Sequence, residues 1–151
     1  MPQSLANILV HVIFSTKNRY PYLADDKLRK EVHSYIASLH RAQNCPALLV
    51  GGPKDHVHTL CKMARNTDVS SLVGEVKRKS SKWVKRDVGM LSKFGWQSGY
   101  GAFSIGQSQV RDVVKYIKNQ DEHHRVVTFK EEFRKFLEKY EVDYDEQYLW
   151  D

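Results

Sequence analysis

Runs of apolar residues along the chain alternate between the periods that distinguish strands from helices. Residues 5–16 are apolar on both alternating faces, which is typical of a central strand buried on two sides. Residues 26–42 repeat apolar residues at helical spacing behind Asp25, a residue type that caps helices. A short apolar strand at 47–51 precedes a Gly-Gly-Pro turn, and another strand is expected around 56–63. The first half therefore predicts a strand, a helix and a pair of strands.

The second half adds one strand and three helices. The predicted elements are a helix over 69–86 begun by Thr67 or Asp68, a strand over 94–105, a helix from Ser108 to about Glu122, and a last helix with a capping box of Thr128 and Glu131. The order β-α-β-β-α-β-α-α begins with the ferredoxin-like arrangement, an antiparallel sheet with helices on one face. The predicted fold class is therefore α+β, with an appended C-terminal helix that carries Tyr116.

Length and composition predict a single domain over residues 1–151. A chain of this size buries roughly 70% of the surface that it exposes when unfolded. Cys45 and Cys61 are the only cysteines, too few for a disulfide scaffold, and they indicate buried thiols in a reducing cytoplasm. The apolar run at 8–14 is too short for a membrane span and lacks the basic leader of a signal peptide. We therefore expect a cytoplasmic protein that does not use a membrane.

The net charge of +6 is distributed unevenly along the chain. The acidic tail, residues 138–151, contains six acidic residues and one lysine, a net charge of −5. Residues 1–137 therefore carry a net charge of +11, and the acidic tail lowers the total to +6. A basic body indicates a polyanionic partner, although charge alone does not choose among DNA, RNA and an anionic membrane surface.

Two histidines at His56 and His58 are the first candidate for chemistry. Residues two apart on a strand point to the same face, and Val57 would lie on the opposite, core-facing side. Such a pair is either a metal site or two satisfied histidines, and both interpretations stay open. Two imidazoles do not fill a coordination sphere. An amide oxygen such as that of Gln120, together with substrate phosphate oxygens, would suit Mg²⁺ or Mn²⁺.

The helix expected after Ser108 supplies a candidate nucleophile, Tyr116. Its polar stripe contains Gln109, Asp112, Tyr116, Gln120 and His123. A tyrosine beside an apolar stripe is ordinarily a half-buried packing residue, but its spacing from Gln120 lets a nucleophile and a metal ligand share one face. If strand and helix pack together, the set suits attack of a tyrosine on a metal-polarised phosphodiester, so a DNA-strand transferase is the leading hypothesis.

A tyrosine must lose its phenol proton to act as a nucleophile, and this ionisation is unfavourable at pH 7. With a pKa near 10, about one phenol in a thousand is ionised at pH 7, a deficit of roughly 4 kcal/mol that a nearby dication could offset. No general base is evident, although Asp112 lies one turn back on the same stripe. The cations at 123–125 complement the negative end of the helix dipole, and a metal or phosphate role for them stays open.

Basic residues concentrate on the helix over 69–86. The candidate nucleic-acid-binding residues there are Lys77, Arg78, Lys79, Lys82, Trp83, Lys85 and Arg86, and Lys17 and Arg19 after the first strand could extend the patch. A solvated charged face is the usual explanation for such a helix. A net charge of +5 within eighteen residues, interleaved with a tryptophan, favours phosphate contact.

Several blocks of sequence, taken in order, resemble a known family. They are HVIFSTKNR, DHVHTL, KRKSS, WQSGYGAFS, YIKNQDEHHR and TFKEEF, followed by YDEQY near the end. The series is similar to the small HUH single-tyrosine transposases of bacterial insertion sequences. The resemblance places the two histidines of the HUH motif on His56 and His58, the nucleophile on Tyr116 and a third metal ligand on Gln120.

The resemblance also implies a function and partners. It implies a homodimeric transposase that cuts and rejoins single-stranded DNA with hairpin ends, with Mg²⁺ or Mn²⁺ and a 5′-phosphotyrosine intermediate. No nucleotide cofactor is expected, in agreement with the absence of a P-loop. The tyrosine helix could serve its own histidines or those of the other subunit. The alternatives are a non-cleaving hairpin-binding regulator on the same fold, and a phosphoesterase that uses water in place of Tyr116.

Overall fold

The computed structural model describes residues 2–88 and 93–151. The strands in this part of the chain are β1 (Leu9–Ser15), β2 (Ala47–Gly51), β3 (His56–Lys62) and β4 (Gly101–Ile105). The α-helices are α1 (Asp26–Ala42), α2 (Val69–Trp83), α3 (Val110–Lys118), α4 (Gln120–His123) and α5 (Phe129–Lys139). A π-helical segment, Val84–Val88, continues α2, and short 3₁₀ turns lie at Lys17–Arg19 and Gln107–Gln109.

The four strands form one antiparallel sheet in the order β2-β3-β1-β4. This order and connectivity confirm the predicted α+β class and the ferredoxin-like arrangement. The central strand β1 is buried along its whole length, as its uninterrupted apolar run predicts. Its register against β3 places Ile13 opposite His58 and Ser15 opposite His56.

One face of the sheet packs against α1 and α2. Val12 and Phe14 of β1 meet Ile36 of α1 and Val76 of α2 in the largest apolar cluster, and all four are almost inaccessible to solvent. The caps at the start of both helices are those expected from the sequence. Asp25 accepts a hydrogen bond from the Leu28 amide of α1, and the Asp68 side chain does the same at the start of α2.

The opposite face is covered by α3, α4 and α5. Ile13 packs against Phe129, Phe133 and Leu137 of α5, whereas Ile117 of α3 belongs to a second cluster on the same face. Thr128 caps α5 by accepting from the Glu131 amide, as predicted. The histidines of β3 point to this face, away from the α1–α2 core. Because helices cover it, their side chains are fully buried rather than on an open polar surface.

Four predicted elements differ from the structure in their bounds. The strand expected over 5–16 is shorter, at Leu9–Ser15, and the α-helix expected over 69–86 ends at Trp83, where the π-helical segment begins. The strand expected over 94–105 begins only at Gly101, because the preceding segment makes side-chain and loop contacts instead of a ladder. Trp96 forms an isolated bridge with Thr16, and the Gln97 side chain accepts from the Ser15 amide at 2.7 Å. The helix expected over 108–122 is divided into α3 and α4, with Asn119 as a non-helical residue between them.

Cys45 and Cys61 are both free and buried. Among the helices of the described residues, none combines the length and the apolar character needed to cross a membrane.

Candidate metal centre and nucleophile

The β3 histidines are oriented by hydrogen bonds at their Nδ1 atoms. His56 Nδ1 lies 2.7 Å from the Asp55 carboxylate, and His58 Nδ1 lies 2.8 Å from Nε2 of His11 on β1. A partner at one ring nitrogen fixes the tautomer and leaves the other nitrogen available as a metal ligand. Both Nε2 atoms therefore face the same space beneath α5.

Glu132 of α5 occupies that space with a side chain only 1% exposed. Its Oε1 lies 3.1 Å from His56 Nε2 and 3.2 Å from His58 Nε2. Its Oε2 lies 3.1 Å from Nε2 of His124, whose Nδ1 is held at 2.5 Å by the Val127 carbonyl. A third histidine thus shows the same pattern, with one nitrogen held by the protein and the other directed to this carboxylate.

The donor atoms fit a divalent metal ion. The ligand atoms of His56, His58, His124 and Glu132 all lie within 4.8 Å of one another. Within the described part of the chain, His58 Nε2 and Glu132 Oε1 are buried atoms without a hydrogen-bond partner. Adjacent ligands of an octahedral ion with bonds of ~2.1 Å are about 3.0 Å apart, close to the spacing of Glu132 Oε1 from the two β3 histidines. An ion would satisfy both orphaned atoms.

Tyr116 and Gln120 reach this cluster from α3 and α4 of the same chain. The Tyr116 hydroxyl donates to Glu132 Oε2 and lies 3.2 Å from His123 Nε2. The ring of Tyr116 is 5.8 Å from that of His58. Gln120 Oε1 is 3.2 Å from His56 Nε2, and the amide nitrogen donates to Glu132 at 3.2 Å. The structure thus brings together the four residues that the sequence singles out.

Electrostatics sets the protonation state of each group. Burial would lower the pKa of His56, but the neighbouring carboxylates of Asp55 and Glu132 raise it to about 8. Burial lowers the pKa of His58 and keeps it neutral, as a metal ligand must be. Burial alone would raise the pKa of Glu132, yet contacts with His124, His56 and His58 hold it well below its usual range.

The same environment suppresses ionisation of Tyr116. Burial, together with the charge of Glu132, raises the pKa of the phenol above its ordinary value of 10. Without a cation the site therefore holds a protonated phenol against a carboxylate. A divalent ion among the histidines would reverse this balance by placing positive charge beside the phenol.

Three residues of the cluster were not singled out from the sequence as ligands or partners of the site. Glu132 has a usable signal, because it interrupts the apolar stripe of Phe129, Phe133 and Phe136 on α5. A carboxylate on a buried face requires a partner. The contact of His124 with Glu132 is compatible with the metal role that the sequence leaves open beside the helix-dipole interpretation. His11 has the same kind of signal, because it is a polar residue within an apolar strand that is predicted to be buried on both sides.

The candidate nucleic-acid residues lie away from this cluster, mostly on α2. Lys77 donates to the carbonyls of Gln97, Ser98 and Gly99, so its ammonium holds the segment before β4. The shallow surface pocket of about 260 Å³ on α2 is lined by Tyr35, Arg78, Lys79, Lys82, Trp83 and Arg86. Trp83 stacks on Tyr35 at 4.6 Å, and Arg78 and Lys79 pair with Glu75.

The other basic candidates flank these elements. Lys85 belongs to the π-helical segment after α2 and is exposed. Lys17 is exposed in the turn after β1. Arg19 donates to the Trp150 carbonyl at 3.1 Å. Nucleic-acid contact by the nine basic and aromatic candidates stays a prediction.

The fold and the site define a class of protein: a ferredoxin-like sheet that carries a buried His-x-His pair with a tyrosine beside it. Comparison with known proteins identifies the family. Residues 4–120 match the family model described as "Transposase IS200 like", which is more than half of the chain. The chain therefore belongs to the IS200-like transposase family. Helix α5, with Glu132, lies beyond the matched segment.

Relatives by sequence agree with this assignment, and a solved structure shares the fold. The transposase for insertion sequence element IS200 of Salmonella typhimurium strain LT2 is 28% identical over 125 residues, covering 80% of this chain and 81% of the relative. The Salmonella typhi IS200 transposase gives the same values. A protein of Deinococcus radiodurans R1 assigned as a transposase has a TM-score of 0.65 at 16% identity, covering 80% of this chain and 95% of its own.

A second solved structure resembles the fold. It is a REP-associated tyrosine transposase bound to a REP hairpin, with a TM-score of 0.60 and 18% identity. The match covers 84% of this chain and 76% of that protein. At these identities the likeness to both structures concerns the fold.

Proposed function

We propose that this transposase cleaves and rejoins single-stranded DNA through a 5′-phosphotyrosine at Tyr116. The observation that carries the proposal is the convergence, within one chain, of the Tyr116 hydroxyl and the His56 and His58 Nε2 atoms on the Glu132 carboxylate. Nucleophile and metal ligands at one phosphate are the parts that such a transfer requires.

The reaction exchanges one phosphodiester for another. The Tyr116 oxygen forms a bond to the scissile phosphorus, the bond from phosphorus to the 3′ oxygen breaks, and the phenol proton is replaced by the phosphoryl group. The leaving 3′ oxygen takes up a proton and becomes a free hydroxyl. Attack by a second 3′-hydroxyl on the phosphotyrosine reverses the step and restores the phenol. Because a diester is kept throughout, no nucleotide cofactor is required.

The metal would be held by His56 and His58 through their Nε2 atoms, with oxygen from Gln120 and from Glu132. When bound, Mg²⁺ or Mn²⁺ would polarise the scissile phosphate and stabilise the phenolate. Asp55 and His11 would then act by holding each imidazole in the tautomer that presents Nε2. The Gln120 oxygen already lies beside His56, as the proposed third ligand must.

The proposed substrate is single-stranded DNA with hairpin ends. The REP-associated relative is bound to a hairpin, and this chain offers basic and aromatic residues on α2 and in the turn after β1 for such a partner. A homodimer remains part of the proposal. Since the Tyr116 ring lies 5.8 Å from the His58 ring of its own chain, we favour a site in which tyrosine and metal ligands come from one subunit.

The test is trapping of the covalent intermediate. Purified protein and the variant Tyr116→Phe are incubated with Mg²⁺ or Mn²⁺ and single-stranded DNA from the ends of the element that encodes the chain. We expect a metal-dependent protein–DNA species on a denaturing gel, absent with Tyr116→Phe and with duplex DNA. Tight hairpin binding without an adduct under either metal would favour the non-cleaving regulator, and cleavage that survives Tyr116→Phe would indicate a phosphoesterase.

A further inference from the structure

A cleft of about 380 Å³ lies between α3 and α5, directly beside the Tyr116 hydroxyl. Its volume is within the range of ~300–1,000 Å³ typical of small-ligand pockets. Tyr116 forms part of its wall, and Glu132 forms another part. The proposed metal site lies between Glu132 and the β3 histidines, so it does not account for the rest of the cleft.

The α5 wall carries positive charge. Lys135 and Lys139 are exposed, line the cleft and stand one helical turn apart. In the part of the chain that the structure describes, neither ammonium forms an ion pair with a carboxylate. Two available ammonium groups on one side of a cleft fit the phosphates of a nucleic-acid strand.

The end of the cleft is aromatic. Phe136 lies edge-on to Tyr116 at 5.7 Å and parallel to Tyr140 at 6.4 Å. Lys139 extends over the Tyr140 ring at 5.3 Å. Aromatic faces beside cations are the usual means of holding an unpaired base, because every base has a face that can stack.

The α3 wall has the opposite charge to the α5 wall. Asp112 lines the cleft one turn before Tyr116. A carboxylate repels phosphate but accepts hydrogen bonds from the amino groups of bases. The strand backbone is therefore favoured along Lys135 and Lys139, with the base edge toward Asp112.

We propose that this cleft binds the nucleotide that stays attached to Tyr116 after cleavage, the one that carries the 5′-phosphate. The inference rests on the proposed function. In an in-line displacement the leaving 3′ oxygen departs on the side of phosphorus opposite the attacking oxygen. The retained 5′ oxygen is equatorial and stays one phosphate away from the Tyr116 oxygen, so a cleft walled by Tyr116 suits the retained strand and not the leaving one.

The probes are dC10 oligonucleotides with a 5′-phosphate or a 5′-hydroxyl, because cytosine has an amino group for Asp112. Binding is measured by fluorescence anisotropy at several salt concentrations for the wild type and for the double variant Lys135→Ala/Lys139→Ala. The matched control is Lys115→Ala/Lys118→Ala, which removes the same charge from exposed positions of α3 outside the cleft. Thermal melts of both double variants check that the fold is retained.

We expect the 5′-phosphate to strengthen binding to the wild type. In Lys135→Ala/Lys139→Ala this gain should fall at least about tenfold, and the salt slope should drop by about 1.4 for two lost contacts on a single strand. Lys115→Ala/Lys118→Ala should keep the gain. Equal losses in both double variants, or no gain from the phosphate, would overturn the proposal.

The adduct assay separates this inference from the proposed function. If Tyr116 forms the adduct but the two double variants behave alike, the cleavage mechanism stands and the cleft assignment is wrong. If no DNA forms an adduct, no nucleotide stays attached to Tyr116. The cleft assignment is then overturned together with the mechanism, even if Lys135 and Lys139 still bind the 5′-phosphate.

Discussion

The two faces of the sheet bury their side chains by different means. On the α1–α2 face, β1 and β3 contribute Val12, Phe14 and Val57 to an apolar cluster that needs no polar partner. On the α3–α5 face, the same two strands contribute His11 and His58, which are as deeply buried but depend on specific hydrogen bonds. Two strands thus serve a stabilising core on one side and a polar cluster on the other.

The two faces differ in the free-energy cost of the polar groups that they bury. Burying a polar group without a partner costs roughly 1–3 kcal/mol, so such atoms are rare unless function requires them. Of the four such atoms among the described residues, two lie close together on the α3–α5 face, at His58 Nε2 and Glu132 Oε1, and the other two are Thr59 Oγ1 and His33 Nε2. The apolar face should therefore govern folding, and the polar face should govern metal binding.

The largest effect is expected on the apolar face. Ile36→Ala removes a fully buried side chain of α1 and leaves a cavity in the main cluster. We expect the free energy of unfolding to fall by about 2–5 kcal/mol, measured by urea denaturation. Affinity for Mn²⁺ in the remaining folded protein should stay within about twofold of the wild type. A large loss of Mn²⁺ affinity by the folded variant would show that the two faces are coupled.

The next effect belongs to the polar face. Glu132→Gln keeps the size of the side chain but removes the carboxylate beside His56 and His58. We expect Mn²⁺ affinity to fall by about two orders of magnitude, near 2.7 kcal/mol, because a neutral amide replaces an anionic oxygen ligand. Calorimetry of Mn²⁺ binding measures the change without DNA or turnover.

A control on the same helix separates local from general charge effects. Glu138 is an exposed residue of α5, so Glu138→Gln makes the same chemical change outside the cluster. It should leave Mn²⁺ affinity unaltered. Equal affinities for wild type and Glu132→Gln would remove Glu132 from the metal site and leave the amide of Gln120 as the oxygen ligand.

Periodicity predicted most of the fold because the helices and strands bury continuous stripes. The bounds of α1 and the caps at Asp25 and Thr128 follow from local chemistry alone. The start of β4 does not, since the preceding segment is held by long-range contacts such as those of Lys77 with the carbonyls before it. A local sequence pattern does not reveal a hydrogen bond between two residues that are twenty positions apart.

The candidate site was predicted only where spacing within one element gives the answer. His56 and His58 share a strand face, so periodicity finds that pair. Helical spacing also singled out Tyr116 and Gln120, and both reach the cluster although Asn119 divides the expected helix into α3 and α4. Glu132 joins them only after α5 folds back over the sheet, which depends on tertiary packing. Its position on an apolar stripe was a signal, but periodicity does not state which residue it would meet.

The smallest effect tests whether acid sensitivity extends beyond the polar face to α1. His33 of α1 lines a small cavity with Gln120 and Asp121, and its buried Nε2 has no hydrogen-bond partner among the described residues. Burial, with the charge of Arg29 nearby, lowers the pKa of His33 to about 4. Between pH 6.5 and 4 the unfolded chain binds this proton and the folded protein does not, so stability is lost as the pH falls.

The variant His33→Gln isolates this contribution. Between pH 7 and 5.5, wild type should lose about 1 kcal/mol more unfolding free energy than the variant, because glutamine does not titrate. Urea denaturation at both pH values gives the difference, and the other acid-sensitive groups cancel between the two proteins. Equal losses would mean that the folded protein accepts the proton on His33 without cost. Acid sensitivity would then belong to the α3–α5 face, and the two faces would differ in their response to pH as they do in their chemistry.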